Sequence, residues 1–350
     1  PLSSSKLLLI LASCFFFPDE HGVPQKTSPQ GKGPLCVSFV DIKRAHFVSA
    51  ATRRICVGLP PELRREGEDK VGFLLKSMYG TRDAAANWEH EIKRVVEDEL
   101  GFKQAKSTPC NFHNRKRNLR VTVHGDDFET LGHMSDLTWF EAELERRWLL
   151  EKRGIFGPPG TPGTVQQMRH LNRLLTWDSQ GITWESDPRH VDLILADLGV
   201  TSCKVTTPLV KEKAQAADIE DVLLEGDEVQ RFQSLAMRLN YVAQDRTDLQ
   251  RAVRELAKGM AKPTQRHWEM LKRVARYLKY APRAVQRFAY QDRLDKLETY
   301  VDSDHAGCVR TRKSTSGAVL MLGKSQLRSV CRGQAVIALS SGEAEYYGLV

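Results

Sequence analysis

The spacing of apolar residues along the chain changes several times, and each change marks an element. "LCVSFV" at 35–40 predicts a strand ending at Asp41, followed by a connection and a β-prone "RRICVGLPP" closed by a proline pair. From Trp88 the period becomes helical, through Ile92, Val95, Val96 and Leu100, with Gly101 as the stop. "LRVTV" then alternates into an aspartate pair, Asp126 and Asp127, and "FETLG" leads away, which predicts strand, tight turn, strand. The Pro/Gly cluster "GIFGPPGTPGT" at 154–164 predicts a linker or long loop. Asp187 and Pro188 read as N-cap and first helical position of "PRHVDLILADLG", ended by Gly199.

"VTTPLVKEKAQAADIEDVLLEGDE" is polar and reads as a surface excursion. Helical periodicity returns three times, in "FQSLAMRLNYVAQ", "TDLQRAVRELAKGMA" and "RHWEMLKRVARYLKYAP". In the last, Trp268, Leu271, Val274, Ala275 and Leu278 share a face, while Lys272, Arg273, Arg276 and Lys279 lie elsewhere. Those basic residues suit either a solvated face or one that tracks phosphates. From Leu297 the pattern turns to strands, "LETYVDSD", "SGAVLML" and "VCRGQAVIALS", then a helical start at "SGEAEYYGLV". "KLLLILASCFFF" is too short to span a bilayer and reads as a buried helix or a poorly defined terminus. A start without Met and an end inside "EYYGLV" predict a piece of a longer chain. There is no internal repeat.

At 350 residues, 41% apolar and 27% charged, the chain is expected to fold as two or three domains. The net charge of +8 favours an acidic partner without identifying one. Seven scattered cysteines with no C-x-x-C pair argue against a disulfide framework or zinc ribbon and fit a reducing compartment. "CNFH" at 110–113 lacks a second ligand pair to complete a zinc site.

Neighbouring carboxylates repel unless something positive lies between or opposite them. Asp126 and Asp127 are therefore either a solvated turn or ligands of a divalent metal. Nucleotidyl transfer uses two Mg²⁺ ions about 3.5–4 Å apart, held by carboxylates, to neutralise the attacking and leaving oxygens. An aspartate ending one strand and a pair in a neighbouring hairpin can converge on such ions, and Asp41, Asp126 and Asp127 meet that description.

The blocks "FVDIKRAHF", "LLKSMYGTRDAAANW" and "VHGDDF", in this order, resemble the copia-type (LTR) retrotransposon reverse transcriptases. "FQSLAMRLNYVAQDRTDL" and "HWEMLKRVARYLK" are similar to that family's connection region. "YVDSDHAGCVRTRKSTSGAVLMLG" with "ALSSGEAEYYGL" is similar to its ribonuclease H domain. The resemblance implies an α+β fold: a palm with antiparallel sheet and helices at 35–153, a helical thumb and connection at 154–295, and a truncated ribonuclease H-like domain at 296–350. Residues 1–34 are left as a remnant.

It also implies RNA-directed DNA polymerase activity by two-metal nucleotidyl transfer, with Mg²⁺ or Mn²⁺, two ions per site. The ligands would be Asp41, Asp126 and Asp127, with Asp302 and Glu345 serving the ribonuclease H site; Asp304, two residues on and on the same strand face by alternation, reads first as a solvated aspartate beside a turn and second as an aid to Asp302. Lys76, Tyr79, Gly80 and Trp88 would lie near template and nucleotide, with His46 and Asp83 lining the nucleotide pocket. The implied partners are RNA template, DNA primer, RNA–DNA hybrid and dNTP, with no membrane, in a cytoplasmic particle or the nucleus.

Four departures stand out. His46 replaces an aromatic that screens the sugar 2′-hydroxyl, and His124–Gly125 replace Tyr-Val before the aspartate pair. Asp83 replaces a glutamine, adding negative charge, and there is little room before Asp41 for the family's fingers. The alternative is a catalytically inactive relic or a non-specific nucleic-acid-binding module, whose basic helices hold phosphate without magnesium dependence.

Overall fold

The apolar run near the start of the chain is a helix, α1 (Leu2–Ala12), with Leu8, Leu9 and Ile10 buried. In the computed structural model the described residues are 2–14, 17–18, 24–25, 31–64, 70–202, 205–210, 221–291 and 294–350. The chain divides into one unit of Pro1–Gln166 with Trp177–Ser179 and another of Gln167–Thr176 with Gln180–Val350. Among the described residues no helix is long and apolar enough to cross a membrane. The expected surface excursion falls partly on 211–220, outside the described residues.

In the first unit, β1 (Phe17–Pro18) and β2 (Pro24–Gln25) make a short antiparallel ladder. Next come β3 (Leu35–Ile42) and the small hairpin of β4 (Cys56–Gly58) and β5 (Val71–Phe73). Helix α2 (Ala84–Lys93) continues as a π-helical turn, Arg94–Glu99, and Gly101 ends it. Then follow β6 (Lys103–Gln104), β7 (Asn111–Asn114), β8 (Leu119–His124), β9 (Asp127–His133), α3 (Met134–Glu145) and β10 (Leu150–Phe156).

Six of these strands form an antiparallel sheet in the order β10-β3-β9-β8-β7-β6. β3 lies between β10 and β9 and is buried almost throughout, as an interior strand covered on both faces must be. Cys36, Val40 and Phe128 pack into one core with Trp88 and Ile92 of α2 and Phe140 and Leu144 of α3. Helix α1 lies on the same strands, where the Ser5 hydroxyl donates to the buried Glu129 carboxylate at 2.6 Å. Asp127, two residues from Glu129, faces the same side of the sheet.

The second unit begins with β11 (Gln167–His170), β12 (Arg173–Asp178) and β13 (Gly181–Ser186), followed by α4 (Arg189–Asp197). Helices α5 (Asp227–Ala243), α6 (Thr247–Ala257) and α7 (Gln265–Tyr280) then pack with α4 around Phe232, Leu239, Leu256, Leu271 and Leu278. The predicted apolar face of α7 is buried as a whole. Strand β14 (Gln286–Ala289) closes a sheet ordered β11-β12-β13-β14.

That sheet is an addition to the expected helices. The alternation in "RLLTWD" is genuine, but its first inward position is a buried arginine, Arg173, which hides the pattern. The last sheet is β15 (Leu297–Asp304), β16 (Thr315–Leu322) and β17 (Ser325–Gly333), followed by α8 (Ser341–Leu349). β17 starts and ends earlier than the apolar run predicted: "QAVIALS" is not strand. Mixed α+β architecture with antiparallel sheets is thus the fold class in both units.

Candidate active site

Asp41 and Asp127 are direct partners in the β3/β9 register, so their side chains leave the sheet on one face. The row extends on both sides: Glu151 of β10 stands opposite Asp41, and His124 of β8 opposite Asp127. A row holding three carboxylates is unstable without positive charge nearby.

The chain supplies that charge itself. On β10 the register slips between Lys152, opposite Val40, and Gly154, opposite Phe39, which leaves Arg153 as the extra residue. A bulge bends the strand and re-aims the inserted side chain, and Gly154 takes the φ of +118° that accompanies it. Arg153 Nη2 donates to Asp41 Oδ2 at 2.7 Å, and its Nη1 lies 3.0 Å from Asp127 Oδ1. One guanidinium thus forks across both carboxylates. Lys43 Nζ stands 3.4 Å from Glu151 at the end of the row.

Gly125 and Asp126 form the turn between β8 and β9. Gly125 has φ +67°, and Asp126 has no positive φ, the pattern of a type II′ hairpin with glycine first. Two hydrogen bonds pin this turn. The Ile42 N–H donates to the Asp126 carbonyl at 2.9 Å, and the indole Nε1–H of Trp88 donates to the Gly125 carbonyl at 2.8 Å. Trp88 is buried in the core against Trp148, ring centroids 5.0 Å apart. From there it positions the aspartate turn from beneath.

Asp41 and Asp127 meet while Asp126 stays in the turn, and among the described residues no group of three His, Cys, Asp or Glu gathers as a metal-ligand set. Magnesium is commonly held by one or two carboxylates, with phosphates and water completing its shell. The Asp41–Asp127 pair fits such an ion as two ligands, with Arg153 now at the same oxygens.

The remaining expected residues lie in the loop between β3 and α2. His46 stacks on Tyr79 at 4.4 Å, and Phe47 meets Tyr79 edge-on at 5.5 Å, giving an exposed aromatic cluster. Lys76 Nζ donates to the Val48 carbonyl at 2.8 Å, and Gly80 turns the chain with φ +86°. Asp83 precedes α2, and Arg53 Nη2 donates to its carboxylate at 2.9 Å. That contact holds the Asp83 carboxyl down to about 2, so its extra negative charge is already balanced.

In the second unit, Glu345 of α8 accepts a hydrogen bond from the Ser303 N–H at 3.2 Å, one residue past Asp302. Ser340 caps α8 by accepting from the Glu343 N–H. Asp304 is clamped by Arg251 at 2.6 Å and by the Thr315 N–H, a structural arrangement. Arg153 and Glu151 escaped the reading of the sequence. The signal for the first was a glycine inside a strand-like stretch, "EKRGIF", which marks a bulge.

No family model matches the chain. The Pol polyprotein of transposon RE2 of Arabidopsis thaliana is 25% identical over 315 residues, 88% of this chain and 20% of that polyprotein. This chain thus spans about a fifth of that relative's length. An uncharacterized mitochondrial protein of the same plant is 30% identical over 167 residues, 47% of this chain and 67% of that protein. Among solved structures, the foamy viral protease-reverse transcriptase in complex with RNA/DNA hybrid matches with a TM-score of 0.49 and 11% identity, covering 90% of this chain and 36% of that one. With its first and third motif blocks meeting in one sheet and the middle block leading into α2, the chain is similar over most of its length to the retrovirus-related Pol polyproteins of plant transposons.

Proposed function

We propose that this chain is a reverse transcriptase segment, continuing into a ribonuclease H-like region, that extends a DNA primer on an RNA template. The observation that carries the reading is the register of β3 and β9, which sets Asp41 opposite Asp127 at the mouth of a hairpin. The reaction is attack of the primer 3′-hydroxyl on the α-phosphorus of a dNTP, with pyrophosphate leaving. Asp41 and Asp127 would hold Mg²⁺ or Mn²⁺, which when bound supplies neutralisation of charge on the reacting phosphate oxygens.

The chain's own residues prepare the rest. Trp88 and Ile42 fix the turn, so Asp127 cannot drift from Asp41. The exposed rings of Phe47 and Tyr79 offer faces on which unpaired bases can stack. Asp302 and Glu345 are proposed for the second site on the same chemical grounds.

A second reading, binding of nucleic acid without chemistry, is favoured by the guanidinium already lodged between the two aspartates. It predicts salt-sensitive, magnesium-independent binding of RNA–DNA hybrid. Primer extension on an RNA template by the full chain, with and without Mg²⁺, decides between them. The polymerase reading expects metal-dependent incorporation that is lost in Asp41→Asn and Asp127→Asn. Incorporation that survives either substitution removes their role.

A further inference from the structure

We propose that Arg153 is a built-in counter-ion at the divalent-cation position, so that the chain holds its aspartate pair closed until that guanidinium is displaced. The inference rests on the polymerase reading for what the pair is for, but not for its geometry.

Three observations converge. The side chain is placed there by a backbone device: the register slip that makes Arg153 the inserted residue of β10 and the φ of +118° at Gly154. The guanidinium contacts both carboxylates, one through each terminal nitrogen, at 2.7 Å to Asp41 Oδ2 and 3.0 Å to Asp127 Oδ1. Finally, the site is accessible: side-chain exposure is 34% for Arg153, 22% for Asp41 and 15% for Asp127. A buried fork would be locked by the desolvation of whichever charge it left behind. A partly exposed one can release its arginine into water or onto a phosphate oxygen, for which the planar fork is equally suited.

A tethered guanidinium competes with a free metal ion for the same oxygens, so it weakens metal binding without abolishing it. Two partly exposed ion pairs of ordinary strength, removed together, correspond to a gain of on the order of tenfold in metal affinity. Glu151, next in the row and half-exposed beside Lys43, adds negative potential that an incoming cation meets once Arg153 has left.

The test is Mn²⁺ binding to the full chain without nucleic acid, read by the loss of the free-ion electron paramagnetic resonance signal. Arg153→Gln is expected to bind Mn²⁺ about tenfold more tightly than the parent, and adding Asp41→Asn to it is expected to erase the gain. Arg153→Lys keeps the charge but cannot fork across both carboxylates, so it should fall between the two; it carries the test if Arg153→Gln does not melt cooperatively. Equal or weaker binding by both Arg153 variants overturns the proposal, and so does a gain that survives Asp41→Asn. These outcomes are separable from failure of the polymerase reading. Parent binding lost in Asp41→Asn but unchanged in the Arg153 variants refutes the counter-ion and keeps the metal pair. A tenfold gain with no primer extension upholds the counter-ion and removes the polymerase.

Discussion

Replacing Trp88 with phenylalanine tests whether the "W" of the middle sequence block works by holding the aspartate turn. The indole is 2% exposed, and its Nε1–H donates to the Gly125 carbonyl at 2.8 Å. Phenylalanine keeps an aromatic ring against Trp148 but removes the donor and part of the volume. Because Gly125 is exposed, water can take over the freed carbonyl, so the lost hydrogen bond costs about 1 kcal/mol. The missing ring atoms add about 1–2 kcal/mol through lost burial and an imperfectly collapsed cavity. The sum, roughly 2–3 kcal/mol, corresponds to a fall of roughly 5–10 °C in the melting temperature of a unit this size. Trp148→Phe is the matched control: Trp148 is 4% exposed and meets the Trp88 and Phe128 rings, so its truncation loses packing. Thermal melts followed by near-ultraviolet circular dichroism compare the two. Amide exchange at Ile42, whose N–H bonds the Asp126 carbonyl, reports the turn itself. Trp88→Phe should cost about 1 kcal/mol more than Trp148→Phe and speed exchange at Ile42. Equal costs with unchanged exchange would refute the coupling.

Two further outcomes follow from charge placement. Asp245, 1% exposed at its side chain, accepts from Arg173 Nε at 2.9 Å and from the Trp184 indole at 2.7 Å, so Asp245→Ala strands a buried guanidinium. The expected loss is about 3–5 kcal/mol, whereas the double replacement of Arg173 and Asp245 by leucine should recover most of it; denaturant melts of the two variants measure this. Asp83, held at about 2 by Arg53, has a folded-state value below that of the unfolded carboxyl. Its pairing therefore contributes fully above pH ~4 and is lost as pH falls toward ~2. Carboxyl NMR titration should give a midpoint near 2 that returns to the ordinary carboxylate range in Arg53→Ala.

Most of the elements were legible because their signals are local. Apolar spacing in α7, the stop at Gly101 and the alternation of β8 into the aspartate pair each involve residues within one turn or one hairpin, so short windows contain them. The sheet β11–β14 was not legible, because Arg173 sits at an inward position and is balanced by Asp245, 72 residues away in sequence. A partner that distant leaves no trace in the spacing of one strand.

The same division applies to the site. The sequence alone determined that Asp41 lies near the end of its strand, that Asp126 and Asp127 sit at a tight turn between two strands, and that the ordered blocks resemble one family. Only the tertiary structure decided which of the acids meet and what stands between them. Cross-strand register sets Asp41 against Asp127, and a single inserted residue on a third strand swings Arg153 over the pair. Register and bulge position are properties of how strands align with one another. The glycine of "EKRGIF" marks a bulge locally, but which partner residues that bulge falls between emerges only when hydrogen-bond ladders and core packing are satisfied together.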